Sequence, residues 1–118
     1  MEEKDFSVQP YLSDLQILQQ TAEQIKKDFS FFSLDILFSG KKEEAYDELF
    51  NQIYPHLKKL MEGDYEKFFS LLYRVDISEK QIAKAQAANK NEEPAKIISG
   101  LIIKRCLQKV ILRKLYSK

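Results

Sequence analysis

The sequence has one cysteine, one histidine, no tryptophan, and only three glycines and three prolines in 118 residues. A single thiol, Cys106, excludes an intrachain disulfide framework and a cysteine-rich zinc site, so nothing in the composition calls for an oxidising compartment. A single imidazole, His56, excludes a histidine-pair metal site, and position 53 is Ile where the Glu-x-x-His arrangement of di-iron bundles needs an acid. Ser39-Gly40-Lys41-Lys42 has too few glycines for a phosphate-cradling loop. No apolar run approaches the ~18 residues of a membrane span, and Met1-Glu2-Glu3-Lys4-Asp5 is not a secretory start. These absences lead us to expect a cytoplasmic protein, without membrane association and without a metal or other cofactor.

What is present is apolar and aromatic: 44% of residues are hydrophobic, with 8 Phe and 6 Tyr. That content offsets the ordering entropy of a folded chain. We expect residues 1–118 to form a single helical domain, with residues 1–9 a flexible N-terminus and a radius of gyration of roughly 13 to 14 Å.

Helical periodicity and its punctuation are legible along most of the chain. Tyr11, Leu15, Leu18, Ala22, Ile25, Phe29 and Phe32 recur at intervals of three and four, which predicts a first helix from Tyr11 with Pro10 in its first turn. Asp14, Gln19, Gln20, Glu23, Gln24 and Lys27 fall on its wet face. Residues 31–40 change period: Phe32, Leu34, Ile36 and Phe38 alternate, and we read an irregular or extended, largely buried connector closed by Ser39-Gly40. Glu43, Glu44, Asp47 and Glu48 suit the positive end of a second helix with Tyr46, Leu49, Phe50, Ile53, Leu57, Leu60 and Met61 inside. Pro55 predicts a kink or a break near Ile53–Tyr54.

Gly63 marks the end of that helix and Asp64 caps a third, which is expected to bury Tyr65, Phe68, Phe69 and Leu72 and end near Val75. Ser78 and Gln81 have the spacing of a capping box, with Ile77 and Ile82 placed as a hydrophobic staple, so a fourth helix opens there. After an exposed turn at Asn89-Lys90-Asn91, Pro94 sits at the first position of a fifth helix that runs to about Tyr116. Its apolar residues leave little of the circumference polar, which predicts burial on several sides. The fold expected is all-α, an irregular four- to five-helix bundle with the C-terminal helix central.

Charge is balanced in total and unequal in place. All 18 acidic residues lie between positions 2 and 93, giving that part a net −6, whereas residues 94 to 118 carry seven basic residues and no acid. Two readings follow: the basic helix is neutralised by Asp and Glu of its neighbours, or Lys104, Arg105, Lys109, Arg113, Lys114 and Lys118 face phosphate or an acidic partner. Arg105, Lys109 and Arg113, spaced by four, form a cationic stripe able to track phosphates. The Ser-capped helix containing Ile82-Ala83 resembles the opening helix of a helix-turn-helix over about a dozen residues. It departs from that pattern at Gln86, at a turn without glycine, and at Pro94.

No motif assigns a chemistry. Cys106 lies among apolar residues as a free thiol usually does, and the pairs Glu43/Asp47 and Glu44/Glu48 are most simply helix-dipole partners. An enzyme would need Tyr73, Arg74, Asp76 and His56 gathered in a deep polar pocket. The function expected is a helical protein-interaction or regulatory module whose partner is another protein or a second copy of the chain. The alternative is a nucleic-acid-binding protein using Lys104, Arg105, Lys109, Arg113 and Lys114.

Overall fold

In a computed structural model, which describes Tyr11 and residues 14–116, Asp14 starts the first helix by accepting the Ile17 amide proton (3.2 Å). Helix α1 therefore spans Leu15–Ser30. It begins four residues later than the apolar period predicts, because a carboxylate that satisfies an orphan amide sets the boundary more firmly than periodicity does. Tyr11 still packs on the inner side, against Ile17, Leu107, Val110 and Ile111. Pro10, Lys118 and the expected flexible residues 1–9 lie outside the described residues.

The remaining elements are a 3-10 turn Lys42–Glu44, α2 Ala45–Gly63, α3 Tyr65–Val75, α4 Glu79–Ala88 and α5 Pro94–Tyr116. Among the described residues there is no strand, and no helix is long and apolar enough to cross a membrane. Of the kink or break expected at Pro55, the break does not occur: helix α2 runs unbroken through it. Pro55 and Asn51, whose carbonyl loses its helical partner, are both exposed, so water can take the missing bond.

Helix α5 is the hub. It packs against α1, α2, α3 and α4. Its buried residues, among them Ile98, Ile102, Ile103, Cys106, Leu107, Val110 and Ile111, occupy most of its circumference. Most of the core is one cluster in which Ile25 and Phe29 of α1, Ile53 and Leu57 of α2, and Leu71 and Val75 of α3 close on Ile102 and Cys106. The radius of gyration is 13.9 Å, within the expected range. Two buried hydroxyls are satisfied within their own helices, Thr21 by the Ile17 carbonyl and Ser99 by the Ala95 carbonyl.

Helix α4 is held differently, since none of its residues is buried. Its start is the predicted capping box: Gln81 N–H donates to Ser78 Oγ (3.1 Å) and Ser78 N–H donates to Gln81 Oε1 (2.8 Å). Ser78→Ala should cost about 1 kcal/mol. With so little tertiary burial in α4, the loss should show as faster amide exchange through α4 alone; unchanged α4 exchange would contradict this.

The connector between α1 and α2 is extended between two residues with left-handed backbone, Ser33 (φ 62°) and Gly40 (φ 92°). Its alternation is real, but it is less buried than expected. Ile36 is buried, Phe32, Leu34 and Phe38 are half-buried against the core, and Phe31 and Leu37 are exposed. A single extended segment has no sheet partner to cover its second face.

What holds it is α2. His56 Nε2–H donates to the Asp35 carbonyl (2.9 Å), Gln52 bonds both N–H (2.7 Å) and C=O (2.5 Å) of Leu37, and Glu48 accepts from Ser39 N–H (2.9 Å) and Oγ (3.0 Å). Residues four apart on a helix are about 6 Å apart along its axis. Residues two apart on an extended chain rise by about 6.6 Å. The two spacings match closely enough for three side chains of α2 to pair, antiparallel, with residues 39, 37 and 35.

Candidate functional site

The basic residues of α5 are distributed over different surroundings. Arg105, 13% exposed at its side chain, donates to Asp76 Oδ2 at 2.7 Å. Asp76 is placed for this by its left-handed backbone (φ 74°) at the end of α3, an unusual conformation for a non-glycine residue. Arg113 is exposed and donates to Gln24 Oε1 (3.1 Å). Lys114, also exposed, reaches Gln16 Oε1 (3.4 Å) and Asp14 Oδ2 (4.0 Å). Lys104 and Lys109 are half-buried. At Asp76 and Asp14, then, the basic helix meets the acidic body of the chain, and the stripe of Arg105, Lys109 and Arg113 does not present three equally open cations.

Cys106 is enclosed in the core, and its thiol is pushed up to about 12, first by desolvation and then by the Asp28 carboxylate, against the opposing pull of Lys109, Arg105 and Arg113. Between the ordinary value of 9.0 and about 12 the unfolded chain gives up this proton while the native chain keeps it. Native stability therefore falls as pH rises through that window. Above about pH 9 the native chain should lose up to about 1.4 kcal/mol per pH unit relative to Cys106→Ala, read from urea midpoints. Parallel curves for the two proteins would contradict the burial of the thiol.

Two grooves stand out, and the four side chains that an enzyme would need are not gathered in either: none of them lines a groove. Tyr73 is 88% exposed, Arg74 bonds Asp28, Asp76 bonds Arg105, and His56 holds the connector. Among the described residues no three His, Cys, Asp or Glu side chains gather into a cation site.

The smaller groove, about 430 Å³, lies between α2, α4 and α5 and is lined by Tyr46, Phe50, Ala85, Ile97, Gly100 and Leu101 with Lys96 and Lys104 beside them. Its aromatic wall is a ladder on α2, Tyr46 stacked on Phe50 (6.0 Å) and Phe50 on Tyr54 (6.4 Å). Gly100 lets the ladder approach α5, since a Cβ there would lie 3.2 Å from the Tyr46 hydroxyl. Desolvation, with Asp47 adding to it, raises the Tyr46 phenol above its ordinary value. At the end of the ladder Tyr54 Oη donates to Glu93 (2.7 Å), which holds that carboxyl below its usual range, with Lys58 and Lys96 reinforcing it. The larger groove, about 1310 Å³, runs between α1, the connector and the end of α5.

Helix α3 supplies the clearest exposed apolar feature. Tyr65, Phe69 and Tyr73, at successive intervals of four, form a row on its outer side, 58%, 51% and 88% exposed. The Tyr65 and Phe69 rings stack at 5.7 Å. Tyr65 and Phe69 were expected inside; the buried arc is instead Phe68, Leu71, Leu72 and Val75. On α5 the exposed large apolar side chains are those of its last turn, Leu115 and Tyr116.

No protein-family model, curated protein or solved structure matches this chain. The site must be read from its own residues.

Sequence reasoning missed two groups. The first is Asp28, buried in the last turn of α1, which accepts from Arg74 Nε at 3.1 Å and from the Gln24 amide at 3.2 Å, while the Arg74 guanidinium lies 4.3 Å from the Phe31 ring centre. The available signal was an acid near the negative end of a helix, a position that needs a compensating cation. The second is the set His56, Gln52 and Glu48, whose spacing of four opposite a period-two segment marks the pairing described above.

Proposed function

We propose that this chain works in the cytoplasm as a small helical module that binds another protein, rather than as an enzyme, and that the aromatic row of α3 is the surface it presents. The observation that carries this reading is that row. Three large rings in line, each half or more exposed, are costly to hydrate, and aromatic side chains supply much of the binding energy of protein interfaces. That Tyr73, Arg74, Asp76 and His56 line neither groove also favours binding over catalysis.

Site-specific photocrosslinking tests it. A benzoylphenylalanine at position 73 should give a discrete protein adduct in the native cell, lost on Phe69→Glu, with no adduct from the same group at position 80. An adduct with a second copy of the chain assigns the partner as itself. Absence of any protein adduct dependent on Phe69 would overturn the reading.

The second reading, a nucleic-acid partner, is favoured by the exposure of Arg113 and Lys114 at the end of α5. It requires binding of duplex or single-stranded nucleic acid that weakens steeply with salt and is lost on reversing both residues to Glu.

A further inference from the structure

The extended connector has two edges, and α2 occupies one. Toward α2 the backbone of Asp35, Leu37 and Ser39 is taken up by His56, Gln52 and Glu48. Successive residues of an extended chain direct their N–H and C=O groups to opposite edges. The groups of Ile36 and Phe38 therefore lie on the far edge, where they make no hydrogen bond among the described residues. Ile36 is only 4% exposed, and backbone polar groups so placed are rarely left without a partner.

That edge borders the larger groove. Residues 34–37 form one wall of it, the outer face of α1 the floor, and Val110, Arg113 and Lys114 the other wall; α2 contributes no residue. The α1 floor, from Gln16 to Ser30, is about 21 Å long, room for about six residues of extended chain. The groove carries Lys26, Lys27, Arg113 and Lys114 against Glu23 and Asp35, an excess of positive charge. Arg113 is held across the floor by Gln24, a neutral acceptor that leaves its charge uncancelled.

We propose that this groove receives an extended acidic segment of a partner protein, which adds as a strand along the edge offered by Ile36 and Phe38, beyond Leu34 whose N–H is already taken by the Phe29 carbonyl (3.0 Å), and sets its carboxylates against Lys27, Arg113 and Lys114. Main-chain pairing supplies the binding energy and the basic walls supply the preference for acid. The inference rests on the interaction-module reading but uses a surface separate from the α3 row.

The test uses the full chain and a fluorescein-labelled heptapeptide alternating Glu and Val, with two controls: the same peptide with Lys for Glu, and a pair of copies N-methylated on one edge or the other. The acidic peptide should bind saturably and shift the amide resonances of Ile36 and Phe38, slowing their exchange. Lys27→Glu with Arg113→Glu, both at exposed positions, should weaken it at least about tenfold. The Lys peptide should not bind, and N-methylation of one edge but not the other should abolish binding. The inference is overturned by no saturable binding below about 1 mM, by indifference to N-methylation or charge reversal, or by resonance shifts away from residues 34–38. It is equally overturned if the chain alone is a dimer with the Ile36 and Phe38 amides protected, which would assign the edge to a second copy. A negative result here with the position 73 adduct intact defeats the groove alone; loss of both defeats the module reading.

Discussion

Ile102→Ala is expected to destabilise the chain by about 2–5 kcal/mol, the cost of removing buried methyl groups and leaving part of a cavity. Ile102 is fully buried on α5 and belongs to the cluster that joins residues of α1, α2 and α3. No neighbour can move in without breaking contacts elsewhere, which puts the effect in the upper half of that range. A domain of this size has about 5–15 kcal/mol in total, so the variant should unfold at a much lower urea midpoint with an unchanged slope. A loss below about 1 kcal/mol would mean that α5 is not the element on which the others close.

The second large effect is electrostatic. Arg74→Met should cost about 2–3 kcal/mol, because it leaves the buried Asp28 carboxylate with only the Gln24 amide as partner. Arg74 is 30% exposed at its side chain, which places the cost below that of breaking a fully buried pair. Adding Asp28→Asn should recover at least half of the loss, since the neutral amide no longer needs a cation. The double-mutant cycle isolates that coupling. If Arg74→Met unfolds within about 0.5 kcal/mol of the native chain, the pair contributes nothing of consequence.

These two effects bear on what the sequence could and could not disclose. The α4 capping box and the Pro94 start of α5 were legible because each depends on residues within one turn of helix. Whether α2 would break at Pro55 or run on through it was not, because the cost of a missing hydrogen bond turns on whether the orphan carbonyl meets water, and that is a property of the neighbours. The α3 aromatics show the same limit. Tyr65, Phe68, Phe69, Leu71, Leu72, Tyr73 and Val75 cover more of the helix than one contact can bury, and only the docking of α1, α2 and α5 decides that Tyr65, Phe69 and Tyr73 stay outside.

The candidate sites follow this pattern. The basic content of α5 was plain, but Arg105 turns to Asp76 because the left-handed end of α3 brings that carboxylate within reach. The period-two alternation of the connector was visible in the residues themselves. Its open edge was not, since it is defined by which backbone groups α2 takes. An edge of this kind attracts another chain, and here it lies beside the basic side chains of Lys27, Arg113 and Lys114.

Native-state hydrogen exchange on the whole backbone tests the architecture most directly. If the C-terminal helix is the hub, amides from Ile102 to Val110 should exchange only through global unfolding, tracking the urea-derived stability, while α4, with no buried residue, opens locally at far lower free energy. Amides of α5 that exchange before those of α1 and α2 would contradict this architecture and the readings built on it.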